Sequence, residues 1–146
     1  MKISRRQLAA LAPALAAAQS KEAKEAKAKP VLPSNCYVYE DLTVKKNEAT
    51  GNDQRAVFDG LTHAKYPVEL HITSLAPGQM PHAAHHHVHE EAVMLRSGQL
   101  DVTIAGKTTR VTAGSVVYVY SNEEHGWKNP GPERAQYFVI AVGKET

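Results

Sequence analysis

The residues of this chain best equipped for chemistry stand in one run, His85-His86-His87-Val88-His89-Glu90-Glu91, with a further imidazole far downstream at His125. Imidazole nitrogens and carboxylate oxygens are donors that suit divalent transition metals. Five of the eight histidines fall between His82 and His89, a density that chance rarely produces. Purification tags sit at chain ends, whereas this run is internal, follows a turn and leads into an apolar segment. In extended chain, residues of equal parity face the same way. His85, His87, His89 and Glu91 therefore share a face, and His86 and Glu90 point the other way. Parity leaves two local sets open, His85 and His87 with Glu91, or the triad His85, His87 and His89. Three imidazoles and one carboxylate leave positions on a six-coordinate ion for substrate, water or dioxygen. A surface loop would give neither Glu91 nor the distant His125 a task. His71 and His82 read as ordinary hydrogen-bonded or surface histidines.

The elements that must position these groups are strands. Val68 to Leu75 alternates, with Val68, Leu70 and Ile72 on one face and Glu69, His71 and Thr73 on the other. Pro77-Gly78 is a turn, and Glu91 to Arg96 is a strand closed by Ser97-Gly98. Gln99 to Ala105 alternates through Leu100, Val102 and Ile104, then turns at Gly106-Lys107 into Thr108 to Thr112. Val116 to Tyr120 is β-branched and aromatic throughout, which favours a strand. The loop Asn129 to Glu133 leads into a last strand, Gln136 to Val142. Short strands separated by frequent turn signals predict an all-β sandwich or barrel. Periodicity does not say whether Val116, Tyr118 and Tyr120, or Tyr137, Val139 and Ala141, face its interior. Trp127, beside His125, reads either as a lid over a pocket or as a packing aromatic.

Gly78, His85, His87, Glu91 and Gly98, followed by Gly114, His125 and Asn129, resemble the two motifs of a small single-domain cupin. The first motif carries one extra residue between Gly78 and His85. In the second, Tyr120 stands at the usual proline and Asn122 at the usual glycine of the turn before His125. Asn tolerates the left-handed conformation that such a glycine supplies, so the turn can survive. The resemblance covers roughly residues 60–142 and implies a single jelly-roll-like β-barrel with a metal at its mouth. It implies that His85, His87, Glu91 and His125 are the ligands of one divalent transition metal, with Fe, Mn, Ni and Zn all compatible. It also implies a small-molecule ligand and a possible homodimer.

The N-terminus reads as an address. Residues 1–18 carry a basic start, a short apolar run and the small residues Ala16-Ala17-Ala18, which together make a signal peptide. Ser4-Arg5-Arg6 followed by Leu8 is similar to a twin-arginine export signal, with Sec export as the alternative. The apolar run is too short to span a bilayer, so no stable membrane anchor is expected. Removing Lys2, Arg5 and Arg6 with the leader leaves 14 basic against 15 acidic residues, a balance of −1. Nucleic-acid binding then lacks its electrostatic motive. Residues 19–35 read as a charged, proline-ended spacer, and residues 36–146 as the barrel domain. Cys36 is the only cysteine, which excludes an intrachain disulfide and reads as a buried or idle thiol. The expectation is an exported periplasmic or secreted metal-dependent enzyme acting on a small oxygen-rich molecule. The alternative is a cupin module that binds a small molecule or metal without turnover.

Overall fold

A computed structural model describes residues 28–144, so the expected export signal lies outside the described residues. The described chain is all-β apart from a single 3-10 turn at Tyr39–Asp41. The strands are β1 (Val44–Asn47), β2 (Asn52–Leu61), β3 (Pro67–Leu75), β4 (Glu90–Ser97), β5 (Gln99–Ile104), β6 (Lys107–Thr112), β7 (Val116–Val119), β8 (His125–Lys128) and β9 (Ala135–Val142). They form a six-stranded sheet in the order β1-β2-β3-β9-β4-β7 and a three-stranded sheet in the order β6-β5-β8. Two antiparallel sheets packed on a shared core are the barrel architecture expected from the strand pattern.

Six of the strands follow the alternation read from the sequence to within a residue or two. The β5–β6 hairpin turns one residue earlier than expected, at Ala105-Gly106, where both residues have positive φ, 46° and 78°. That pair of angles matches the twist of the flanking strands, as in a type I′ turn. β1, β2 and β8 have no counterpart in the sequence reading; for β8, His-Gly-Trp-Lys is too short to show a period. His125 therefore opens a strand rather than ending a loop.

The core is built from Leu75, Val93, Leu95, Leu100, Val102, Val117, Val119, Trp127, Tyr137 and Val139. β7 turns Val117 and Val119 inward and leaves Val116, Tyr118 and Tyr120 exposed. On β9 the inward set is Tyr137 and Val139. Residues directly opposite across a sheet share a face, and Thr73 lies opposite Tyr137 while His71 lies opposite Val139. The polar face of β3, with Glu69, His71 and Thr73, is thus the inner wall of the barrel. The apolar face, with Val68, Leu70 and Ile72, is the outer one. The chain leading into β1 runs over that outer side, where Tyr37 packs on Phe58 at 5.6 Å and Leu32 donates its N–H to Leu61. Cys36, on this segment, is exposed rather than buried.

Gly98 joins β4 to β5 at φ 77°, and a Cβ there would meet the Arg134 carbonyl at 2.6 Å. No side chain fits. Asn129, fully buried, ties the end of β8 to the rest of the barrel. Its amide donates to the carbonyls of Leu75 at 3.1 Å and Glu133 at 2.7 Å and accepts from the Gly131 N–H at 3.0 Å.

Candidate metal centre

The segment before β4 is drawn onto β8 by a pair of reciprocal backbone hydrogen bonds, His85 N–H to His125 at 3.0 Å and His125 N–H to His85 at 2.9 Å. Gly126 permits this approach, because a Cβ there would lie 3.2 Å from Ala84 Cα. Two residues on, the His87 carbonyl accepts the Asn122 N–H at 2.7 Å. Asn122 has φ 62°, so it takes the left-handed turn position that the motif resemblance implied. Glu91 stands at the start of β4, opposite Val119 on one side and Ala141 on the other, on the inner wall.

Four side chains expected to act together are brought together. The rings of His85, His87 and His125 form a near-equilateral triangle, with centroids 5.1, 4.8 and 4.8 Å apart. Each ring offers a nitrogen within 4.8 Å of the others. The Glu91 carboxylate closes the set, with Oε1 at 3.4 Å from His87 Nε2 and Oε2 at 3.4 Å from His125 Nε2. His125 and Glu91 are buried, at 1% and 9% exposure.

The protonation pattern follows from the partners. His87 Nδ1 lies 2.8 Å from the His89 carbonyl, and His125 Nδ1 lies 2.8 Å from the Glu123 carbonyl. A carbonyl only accepts, so each Nδ1 carries a proton, which leaves Nε2 as the nitrogen available to a metal. His87 Nε2, His125 Nε2, Glu91 Oε2 and His85 Nδ1 are all buried and have no hydrogen-bond partner. Buried polar atoms are nearly always satisfied, and here several electron-rich ones converge. Burial first, then the neighbouring histidines, lowers the His85 pKa from 6.5 to about 4, which keeps its ring neutral.

This donor set fits a cation. A charge-assisted hydrogen bond is about 2.7–2.9 Å long, so 3.4 Å is too far for a shared proton. Donor atoms about 3.4 Å apart are close enough for both to reach one ion, which would relieve their lack of a proton partner. Carbonyl partners on the far nitrogens hold the ring tautomers that metal ligation needs.

His89 joins the cluster. Its ring stacks on His87 at 3.6 Å, nearly parallel, and its Nε2 lies 3.4 Å from Glu91 Oε1. His87, His89 and Glu91 also form a donor group of their own. His86 and Glu90 are exposed, as parity requires. His82 is exposed, with its ring edge-on to His85 at 4.2 Å. His71 bonds Glu69 at 3.0 Å on the inner wall. Trp127 is not a lid. It is 5% exposed, lies against His125 at 5.7 Å and donates its Nε1–H to the Tyr137 hydroxyl at 2.7 Å. A short apolar-flanked strand buries its indole, and the hydroxyl satisfies the one polar atom that burial would strand.

Residues 71–141 match the family model described as a cupin domain. Solved structures with the same fold include an RmlC-like cupin from Shewanella frigidimarina, 16% identical, with a TM-score of 0.63 over 77% of this chain and 93% of that one. KdgF from a Halomonas species is 13% identical, with a TM-score of 0.64 over 77% of this chain and 97% of that one. A predicted oxalate decarboxylase from Thermotoga maritima is 19% identical, with a TM-score of 0.62 over 75% of this chain and all of that one. At these identities the likeness establishes the fold alone. No match was found among curated proteins.

Proposed function

We propose, from the match of residues 71–141 to the cupin-domain family model, that this chain is an exported mononuclear metal-binding protein and a metalloenzyme acting on a small oxygen-rich molecule. The observation that carries the reading is the convergence of buried, unpartnered donors on His85, His87, Glu91 and His125. These residues would hold one divalent transition metal. When bound, such a metal supplies Lewis acidity and open positions for substrate oxygens. The protein supplies the rest. The His89 and Glu123 carbonyls fix two imidazoles, the His89 ring stacks on that of His87, and Trp127 packs against the His125 ring. That fold hosts several chemistries, and the donor set does not select among them. The Arg5-Arg6 signal supports export in folded form, which would let the site load in the cytoplasm, away from competing copper and zinc.

Elemental analysis of protein purified without a tag tests the site. About one transition metal per chain is expected, lost on His87→Ala or His125→Ala; metal-free wild type would refute the reading. A screen for oxygen uptake and small-molecule turnover, run on the metal-loaded protein, separates an enzyme from a binding module.

A further inference from the structure

Lys45 lies on the inner wall of the barrel. It stands opposite Gln54, Gln54 opposite Thr73, and Thr73 opposite the core residue Tyr137. Since opposed residues share a face, this lysine points the way the core points. It borders a slot of about 310 Å³ between the free edge of the six-stranded sheet and the chain that leads to His85. Lys45, Lys46, Asn52, Gln54, Thr73 and His82 line the slot. His82, whose ring touches His85 at 4.2 Å, joins the slot to the metal centre.

The charge in the slot is one-sided. Asp53 is the only acid lining it, and it is engaged by Arg55 at 3.1 Å and Arg134 at 2.8 Å. Asn52 is committed as well, donating to the Met80 carbonyl at 3.0 Å and accepting from the Ala76 N–H at 3.0 Å. Neither Lys45 nor Lys46 forms an ion pair among the described residues. Lys45 points into the slot beside the Gln54 amide, and Lys46 borders it from the other face of the edge strand; two unneutralised ammonium groups so placed form an anion site, and the volume is at the small end for ligand pockets.

We propose that this slot receives the carboxylate of a small organic acid, held by Lys45 with Lys46 adding positive charge at the rim, with the rest of the molecule directed past His82 toward the metal. The second contact rests on the metal-site reading; the first does not. The competing explanation is that lysines on an edge strand discourage edge-to-edge pairing. The two differ in what the lysines bind.

Calorimetric titration of the metal-loaded chain with succinate, with its uncharged diamide and with inorganic phosphate is the test. Succinate should bind, and the diamide should bind at least about tenfold more weakly. The Lys45→Gln/Lys46→Gln variant should lose roughly 5- to 30-fold in succinate affinity, as should wild type in high salt, because exposed charge pairs are modest and screened. Each variant's melting temperature and association state are measured alongside. Succinate binding that the double variant leaves unchanged, with or without a change in self-association, overturns the proposal. Phosphate binding more tightly than succinate, with the same lysine dependence, overturns the carboxylate assignment. If the chain holds no metal yet succinate binding still depends on the lysines, the metal-site reading falls and the anion slot stands.

Discussion

Replacing Glu91 by Gln removes the one negative charge of the metal centre while keeping the side chain's shape. In the metal-free protein the carboxylate is 9% exposed, and Oε2 faces His125 Nε2 at 3.4 Å without a proton between them. Loss of that charge should therefore leave the metal-free fold within a few degrees of wild-type stability. The metal-loaded protein should behave differently. A ligand that binds only the folded state, at about 100 times its dissociation constant, adds about 2.7 kcal/mol of stability. For the 117 residues from 28 to 144, an unfolding entropy of about 2.1 cal/mol/K per residue gives about 0.25 kcal/mol/K. The expected rise in Tm is then about 10 °C. Chelator-stripped protein is melted by circular dichroism with and without Mn, Fe(II), Ni or Zn. Glu91→Gln should lose at least half of the rise, His125→Ala all of it, and His89→Ala should retain most. No rise in wild type with any metal would refute the reasoning, as would a rise that both Glu91→Gln and His125→Ala leave intact. A rise abolished by His89→Ala and untouched by Glu91→Gln would move the carboxylate's role to His89.

Two further outcomes follow from the geometry. Asn129→Ala strands two carbonyls and one N–H in the interior, so it should destabilise the protein by about 3 kcal/mol in urea unfolding, with the metal site's donors unchanged; a loss under about 0.5 kcal/mol would contradict that role. His85 has a folded-state pKa of about 4 against 6.5 in its ordinary state. The unfolded chain then binds more protons between those values, so acidification through that window costs the metal-free fold stability, and the cost is constant below it. The difference between wild type and His85→Gln, followed by urea unfolding at stepped pH, should fall in favour of the variant from pH 6.5 to pH 4. A flat difference would show that His85 protonates freely.

Six of the nine strands, the all-β class and a pool of candidate donors were legible in the sequence for physical reasons. Side chains alternate with period two, so Leu100, Val102 and Ile104 announced β5. The same parity put His85, His87, His89 and Glu91 on one face and turned His86 away. Asn122 could be placed in a left-handed turn because it stands at the glycine of the motif the chain resembles, and few other residues enter that region. Other features depend on long-range pairing, to which local periodicity is blind. Alternation in β3 divided Glu69, His71 and Thr73 from Val68, Leu70 and Ile72, but only registry with Tyr137 and Val139 made the polar set the inner wall. β8 was invisible because four residues carry no period, and it exists through its pairing with β5. Trp127 became a packing residue when the fold brought the Tyr137 hydroxyl to its indole nitrogen. Lys45 gave no signal at all, since its inward direction passes through three strands to the core. What the sequence determined by itself is a pool of candidate donors and the faces they share. Tertiary structure alone decided which face is the interior, because burial belongs to the neighbours that a strand acquires and not to the strand.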